Sequence, residues 1–345
     1  MLRRILVVRT DRMGDVVLAT PLLRALRRTF PEAFLAALVR PYARDLLLHN
    51  PHLNELLVDD AGGVHVGRAG FRRLVRDLRA RRFDTALLLL PTKRAAHALF
   101  WAGIPRRIGV GRKPYEVLTF MQSVSRNKYI PLRHEADYCL DLGRRIGVRA
   151  GRSAADLAAE LFVTTPEHAA AQARFAALGA APGDVLVGIH STSGGSSPNW
   201  EAGRYVQLVT QLLEQLPGSV RIVVTGEDPV PAFPESPRVF DVRGKRPLRD
   251  LLADLGNLHV LVSASTGPMH AAAALGVPTV SLFCPLPACS PQLWGPRGNT
   301  ARIVMPPDGC CPRRCPRDPK DCRFEEISIA SVAAAVVAAL GASAV

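Results

Sequence analysis

The chain has 345 residues, 48% of them apolar, and no low-complexity tract or charge block. That composition excludes a disordered protein and leaves room for two hydrophobic cores. The formal net charge of +14 lies wholly in residues 1–165, which hold 29 Lys+Arg against 15 Asp+Glu, whereas residues 166–345 hold 15 of each. A one-sided basic surface points to an anionic membrane face or a polyanionic substrate, the alternative being a solvated face without a partner. Nucleic acid is the weaker partner, because the basic residues are dispersed and aromatics for base stacking make up only 6% of the chain.

The apolar run Ile5–Val8 predicts a first strand. It is too short for the core of a signal peptide, so the expected compartment is the cytoplasm, with reduced cysteines. The stretch Arg9 to Pro21 then forms a strand-to-helix turn carrying two carboxylates, Asp11 and Asp15. Gly14 is expected to permit a tight backbone beside the second. Leu22, Leu23, Leu26 and Phe30 share one face of the helix that follows.

Further along, residues 33–39 read as a strand and 42–49 as a helix. Residues 68–82 form a basic amphipathic helix with Phe71, Leu74 and Leu78 inward, and residues 83–90 form a buried strand. After Pro91-Thr-Lys93 another helix opens. Residues 106–110 are a short strand, 111–133 a long basic loop, and 135–146 a helix.

The second half repeats the alternation. Its helices are expected at residues 166–178, 204–216, 248–255 and 268–275, and its strands at 185–190, 220–225, 260–263 and 279–283. The pattern predicts an α/β protein of two Rossmann-like, doubly wound parallel sheets facing a cleft, with domains 1–165 and 166–345. No Gly-x-Gly-x-x-Gly follows the first strand, which counts against a dehydrogenase. The uncharged end, residues 327–345, places Ile329, Val332, Val336 and Leu340 on one stripe and reads as a docked helix rather than a membrane anchor.

Three strand-end loops of the second half suit a phosphate. The first runs His190-Ser191-Thr192-Ser193-Gly194 to Ser197, with small residues that let backbone amides approach an anion. The second, Thr225-Gly226-Glu227-Asp228, offers carboxylates for a ribose. The third places Ser265, Thr266 and Gly267 at a helix start, with His270 one turn inside, where amides and the dipole favour a diphosphate. Each loop alone also reads as an ordinary turn or cap, and His270 as a structural histidine.

Met13-Gly-Asp-Val-Val-Leu-Ala-Thr-Pro21, the His190 loop ending in Trp200, and Ser265-Thr-Gly-Pro-Met-His270 through Pro278 together resemble glycosyltransferase family 9, the ADP-heptose:lipopolysaccharide heptosyltransferases. The resemblance implies the GT-B fold and an inverting mechanism that needs no cofactor. It also implies an acceptor-binding first domain and a nucleotide-sugar-binding second domain. Asp15 matches the family's catalytic aspartate, with Arg12, Met13, Gly14 and Lys93 as candidate acceptor contacts. Thr266, Gly267 and His270 match the donor-phosphate motif. Implied partners are ADP-heptose, an anionic lipopolysaccharide-core acceptor and the inner leaflet of the membrane. The chain departs from the family in two places: Ser265 stands where an Asp is frequent, and Pro198 where a Lys is frequent. Lys245 and Arg246 are candidate replacements for the missing cation. The other readings are a different nucleotide sugar, a protein acceptor, or a catalytically silent sugar-nucleotide or polyanion-binding protein.

Cys310, Cys311, Cys315 and Cys322 fall within 13 residues. Four thiolates in a Pro-rich loop can hold structural zinc or iron, while free thiols or an oxidisable pair are the alternatives.

Overall fold

The computed structural model describes residues 3–111, 113–124, 132–195, 197–227, 231–244, 246–307 and 321–342. The chain divides into two compact units, Met1–Phe162 and Val163–Val345.

The first unit is built on six parallel strands: β1 (Arg4–Val8), β2 (Phe34–Val39), β3 (Glu55–Val58), β4 (Thr85–Leu88), β5 (Arg106–Val110) and β6 (Gln122–Val124). Their order across the sheet is β3-β2-β1-β4-β5-β6. β1 is central, pairing Val8 with Leu38 of β2 on one side and with Leu88 of β4 on the other. Both its faces are covered, which is why Ile5 to Val8 is continuously apolar rather than alternating.

The helices of this unit are α1 (Met13–Val17), α2 (Thr20–Thr29), α3 (Gly67–Ala80), α4 (Lys93–Trp101), α5 (Pro114–Leu118) and α6 (Glu135–Arg144), with a 3-10 turn at Pro41–Leu46. Leu74 and Leu78 of α3 share one core with Ala95, Ala98 and Leu99 of α4, and Tyr115 of α5 packs against it. These three helices therefore cover the same face of the first sheet.

The second unit repeats the plan with β7 (Val185–His190), β8 (Val220–Thr225), β9 (Val239–Asp241), β10 (Val260–Ala264), β11 (Thr279–Leu282) and β12 (Ala301–Val304). The order is β12-β11-β10-β7-β8-β9, again all parallel, so the strand order reverses beside β7 just as it does beside β1. Its helices are α7 (Thr165–Ala177), α8 (Ala202–Gln215), α9 (Leu248–Leu255), α10 (Gly267–Ala274), α11 (Pro291–Trp294) and α12 (Ile329–Ala342). Val332, Ala333, Val336 and Ala339 of α12 are buried in this unit's core, so the uncharged terminal stripe is spent on packing. No helix among the described residues is long and apolar enough to cross a membrane.

Four strands were not expected from the sequence: β3, β6, β9 and β12. All four are sheet edges of three or four residues. An edge strand is short and partly solvated, so it carries no apolar run to betray it. β6 and α5 occupy the stretch expected to be a single loop, and the helix expected at residues 42–49 is replaced by the 3-10 turn Pro41–Leu46.

Candidate active site

In each unit the ligand-binding position of an open α/β sheet is the carboxyl end of the two central strands, where the strand order reverses. In the first unit these are β1 and β4. Arg9 extends the ladder past β1, its N–H donating to Leu38 O at 3.0 Å, and its side chain turns inward to only 4% exposure. There it binds three carboxylates. Nε donates to Asp11 at 2.8 Å, Nη2 to Asp15 at 2.6 Å, and both Nη atoms to Glu135 at 3.2 Å. Nη1 also lies 3.6 Å from the Cys139 sulfur.

A planar fork of donors can serve several carboxylates at once, which a lysine cannot. Burial opposes the charge on Arg9, but the surrounding Cys139, Asp11, Glu135 and Asp15 raise its pKa above the ordinary arginine value. Glu135 is fully buried, whereas the side chains of Asp11 and Asp15 keep 14% and 18% of their surface open. Burial, reinforced by the charge of Asp15, pushes the Asp11 carboxyl up to about 6 against the pull of Arg9. The exposed Tyr42 hydroxyl donates to the Asp11 carbonyl and fixes that turn.

Met13, Gly14 and Asp15 are the first three residues of α1, and Arg12 is its N-cap. Asp15 thus sits in a first helical turn, where a carboxylate is favoured by the dipole, rather than in a loop. Gly14 is not among the residues of positive φ, so the tight turn expected of it is absent, and its position is an ordinary helical one. Arg12 is exposed, while Met13 and Gly14 are half-buried. Lys93 is exposed and opens α4 just past β4, after Thr92, whose Oγ1 accepts from Ala95 N at 3.2 Å. The Asp15 turn and Lys93 therefore leave neighbouring strand ends.

In the second unit the three phosphate-type loops come together. His190 closes β7 with Thr225 of β8 and Ser263 of β10 at its own level on either side. His190 Nδ1 lies 3.0 Å from Thr225 Oγ1, and burial drops the imidazole to about 4, so it is neutral at pH 7. Ser191 N donates to Thr225 O at 3.2 Å, and Glu227 N to Thr192 Oγ1 at 3.4 Å. Gly226 has φ +141°, and a Cβ there would stand 2.9 Å from Thr192 Oγ1, so this close approach needs glycine. Ser193 Oγ accepts from Gly195 N at 3.2 Å, and Gly194 beside it has open space above its α-carbon.

Ser197, the last residue of the first loop, and Asn199, for which no role was expected, tie the loops down. Ser197 Oγ donates to Ser265 O at 2.7 Å, and Asn199, held by the buried Tyr205 hydroxyl, donates to Ser191 O at 3.1 Å. Thr266 is the N-cap of α10, yet its side chain makes no capping bond. Its Oγ1 is buried with no hydrogen-bond partner among the described residues. A buried hydroxyl left unpaired costs about 1–3 kcal/mol, and here it lies at a helix N-terminus beside the strand-order reversal, where an anionic ligand would satisfy it. His270 is buried one turn further on, its N–H donating to Thr266 O at 3.3 Å.

Of the candidate replacement cations, Lys245 lies outside the described residues. Arg246 is committed to the buried Asp254, with Nη1 at 2.5 Å from the carboxylate. The described parts of the three loops contain no Lys or Arg, which leaves backbone amides and hydroxyls to carry an anion there. Asp228, Cys310, Cys311 and Cys315 also lie outside the described residues, while Cys322 is half-buried against the core of its unit.

The model for glycosyltransferase family 9 (heptosyltransferase) matches residues 71–322. The chain belongs to this family. Lipopolysaccharide heptosyltransferase 2 of Escherichia coli is 26% identical over 315 residues, with 87% of each chain covered. A glycosyl transferase of family 9 from Veillonella parvula has the same fold, with a TM-score of 0.81 at 23% identity over 99% of this chain and 97% of that one. The E. coli ADP-heptose lipopolysaccharide heptosyltransferase II gives a TM-score of 0.78 at 21% identity, covering 99% of this chain and 100% of that one. The two six-stranded units are thus the two Rossmann-like domains of the GT-B fold, and the protein is a glycosyltransferase.

Proposed function

We propose that this family 9 enzyme transfers heptose from ADP-heptose to an anionic lipopolysaccharide-core acceptor with inversion, Asp15 acting as general base. The observation that supports this reading best is the Asp15 carboxylate at the end of β1, oriented by Arg9 yet still open to a substrate. Asp15 Oδ would take the proton of the acceptor hydroxyl while that oxygen bonds to the anomeric carbon. The bond from the anomeric carbon to the β-phosphate oxygen breaks in the same step, and ADP leaves with the negative charge. The second unit would meet that charge with the amides of the Ser191–Gly194 loop and with Thr266 and Gly267 at the head of α10. Thr225 to Glu227 would face the ribose, Ser265 and His270 would flank the diphosphate, and His190 would hold its loop in place as a neutral ring. The reaction requires the donor sugar to reach Asp15. Arg12, Met13, Gly14 and Lys93 would then contact the acceptor, at the cytoplasmic side of the inner membrane.

The loops without a cation favour one variant of this reading, in which the donor is a different nucleotide sugar. Calorimetry with ADP, UDP and GDP, followed by transfer from ADP-heptose to heptose-deficient core, tests the proposal. Selective ADP binding with heptose transfer is the expected result. Binding of another nucleotide alone rejects the donor, and binding of none rejects the transferase site in favour of a silent binding protein.

A further inference from the structure

The basic excess of the first unit is not spread evenly among paired and unpaired side chains. Arg9, Arg24, Arg81, Arg94, Arg133 and Arg144 are each bound to carboxylates. On α3, by contrast, Arg68, Arg72, Arg73 and Arg76 are exposed and have no hydrogen bond or ion pair among the described residues. Arg68, Arg72 and Arg76 follow one another at every fourth position, a stripe of like charges that opposes the helix it lies on. Asp77 is the sole carboxylate in α3. An unpaired stripe of this kind is free to meet an anionic surface outside the molecule.

Beside that stripe the same face of the domain exposes large apolar side chains. Arg79 at the end of α3 donates to Trp101 O at 2.5 Å, which joins α3 to the end of α4. Trp101 packs edge-on against Phe100 at 5.2 Å, and Phe100 lies 6.2 Å from Phe120, just past α5. Trp101 is 55% exposed, Leu118 70% and Phe120 75%. Phe120 has φ 51°, a left-handed conformation that a helix end ordinarily gives to glycine, and Met121 N closes the turn by donating to Glu116 O at 2.9 Å. The chain therefore accepts backbone strain at a position that presents a phenyl ring to solvent. Because α3, α4 and α5 cover one sheet face, the arginines and the apolar group belong to one outward surface.

We infer that this surface docks the enzyme on an anionic lipid bilayer, the arginines meeting headgroups while Trp101, Leu118 and Phe120 enter the interfacial layer. Tryptophan and phenylalanine beside clustered arginine is the composition that such an interface binds. An acidic protein surface pairing with the arginines is the competing occupant, and failure to bind anionic vesicles would point to it. The inference rests on the proposed acceptor being membrane-borne, and it adds which face of the first domain turns toward the lipid.

The test is co-sedimentation with vesicles of phosphatidylcholine, with and without about one third phosphatidylglycerol. Wild-type protein is expected to bind only the anionic vesicles and to release as salt rises. Each arginine contributes about fivefold to binding at such a surface, so Arg72→Glu/Arg73→Glu/Arg76→Glu lowers the partition at least tenfold. Leu118→Ser/Phe120→Ser lowers it several-fold without altering the salt dependence. Both variants should keep the wild-type melting temperature and should transfer heptose at the wild-type rate to a delipidated, water-soluble core acceptor. Equal binding to both vesicle types, or unchanged binding by both variants, overturns the docking surface. So does a wild-type dimer that the variants dissociate, which would make the face a subunit interface. Absence of transfer to the soluble acceptor by every form rejects the proposed reaction and leaves the vesicle result to stand by itself.

Discussion

Replacing Asp11 with Asn removes one of the three carboxylates on Arg9 with little change of shape. Burial pushes the Asp11 carboxyl up to about 6, so it takes up its proton at a higher pH than an ordinary aspartate does. When Asp11 is ionised, the guanidinium is divided among three anions. When it is protonated, Arg9 is left to Asp15 and Glu135, and proton abstraction by Asp15 slows. Two carboxylates on one guanidinium lie within roughly 6 Å, and one charge at that range near a protein surface is worth about 1–3 kcal/mol. With about half of that expressed in the transition state, the rate effect is roughly three- to tenfold. Wild-type kcat, followed by ADP release at saturating substrates, should show an acid limb centred near pH 6. Asp11→Asn should lose that limb and run three- to tenfold below the wild-type plateau at pH 8. A variant with the same limb and the same plateau would refute the coupling of Asp11 to the base.

Other outcomes follow from the second domain. Thr266→Val should weaken donor binding about tenfold in calorimetry while leaving the unliganded protein as stable or slightly more so, because its Oγ1 has no partner to lose among the described residues. Gly226→Ala should cost about 1–3 kcal/mol and lower the melting temperature by several degrees, since it strains the backbone and drives a methyl against Thr192. His190 is held at about 4 against 6.5 unfolded, so the unfolded chain binds its proton more readily. Stability present above pH 6.5 is therefore lost as pH falls toward 4, by up to about 3 kcal/mol, and His190→Asn should flatten that part of a denaturation series. Asp11 has the opposite sign, its raised pKa making the first domain lose stability as pH rises from about 4 to 6.

The central strands were legible because both faces are covered: β7 and β8 stand at the residues their apolar runs predict. The edges β3, β6, β9 and β12 were not, for want of burial. The site divides the same way. Local signals placed Asp15 and the loops of His190, Gly226 and Thr266 at strand ends, because each lies within a few residues of the strand that positions it. Arg9 and Glu135 are 126 residues apart, and nothing in either neighbourhood announces that they meet. The raised pKa of Asp11 was illegible for the same reason, since it comes from burial created by the fold. Gly14 was misjudged because helical glycine and turn glycine look alike until φ is known.

The most direct test of the account is heptose transfer by Asp15→Asn, with donor binding measured on the same preparation. Loss of about a hundredfold or more in kcat with unchanged affinity for ADP-heptose is the predicted result. Near-wild-type turnover would contradict Asp15 as the base.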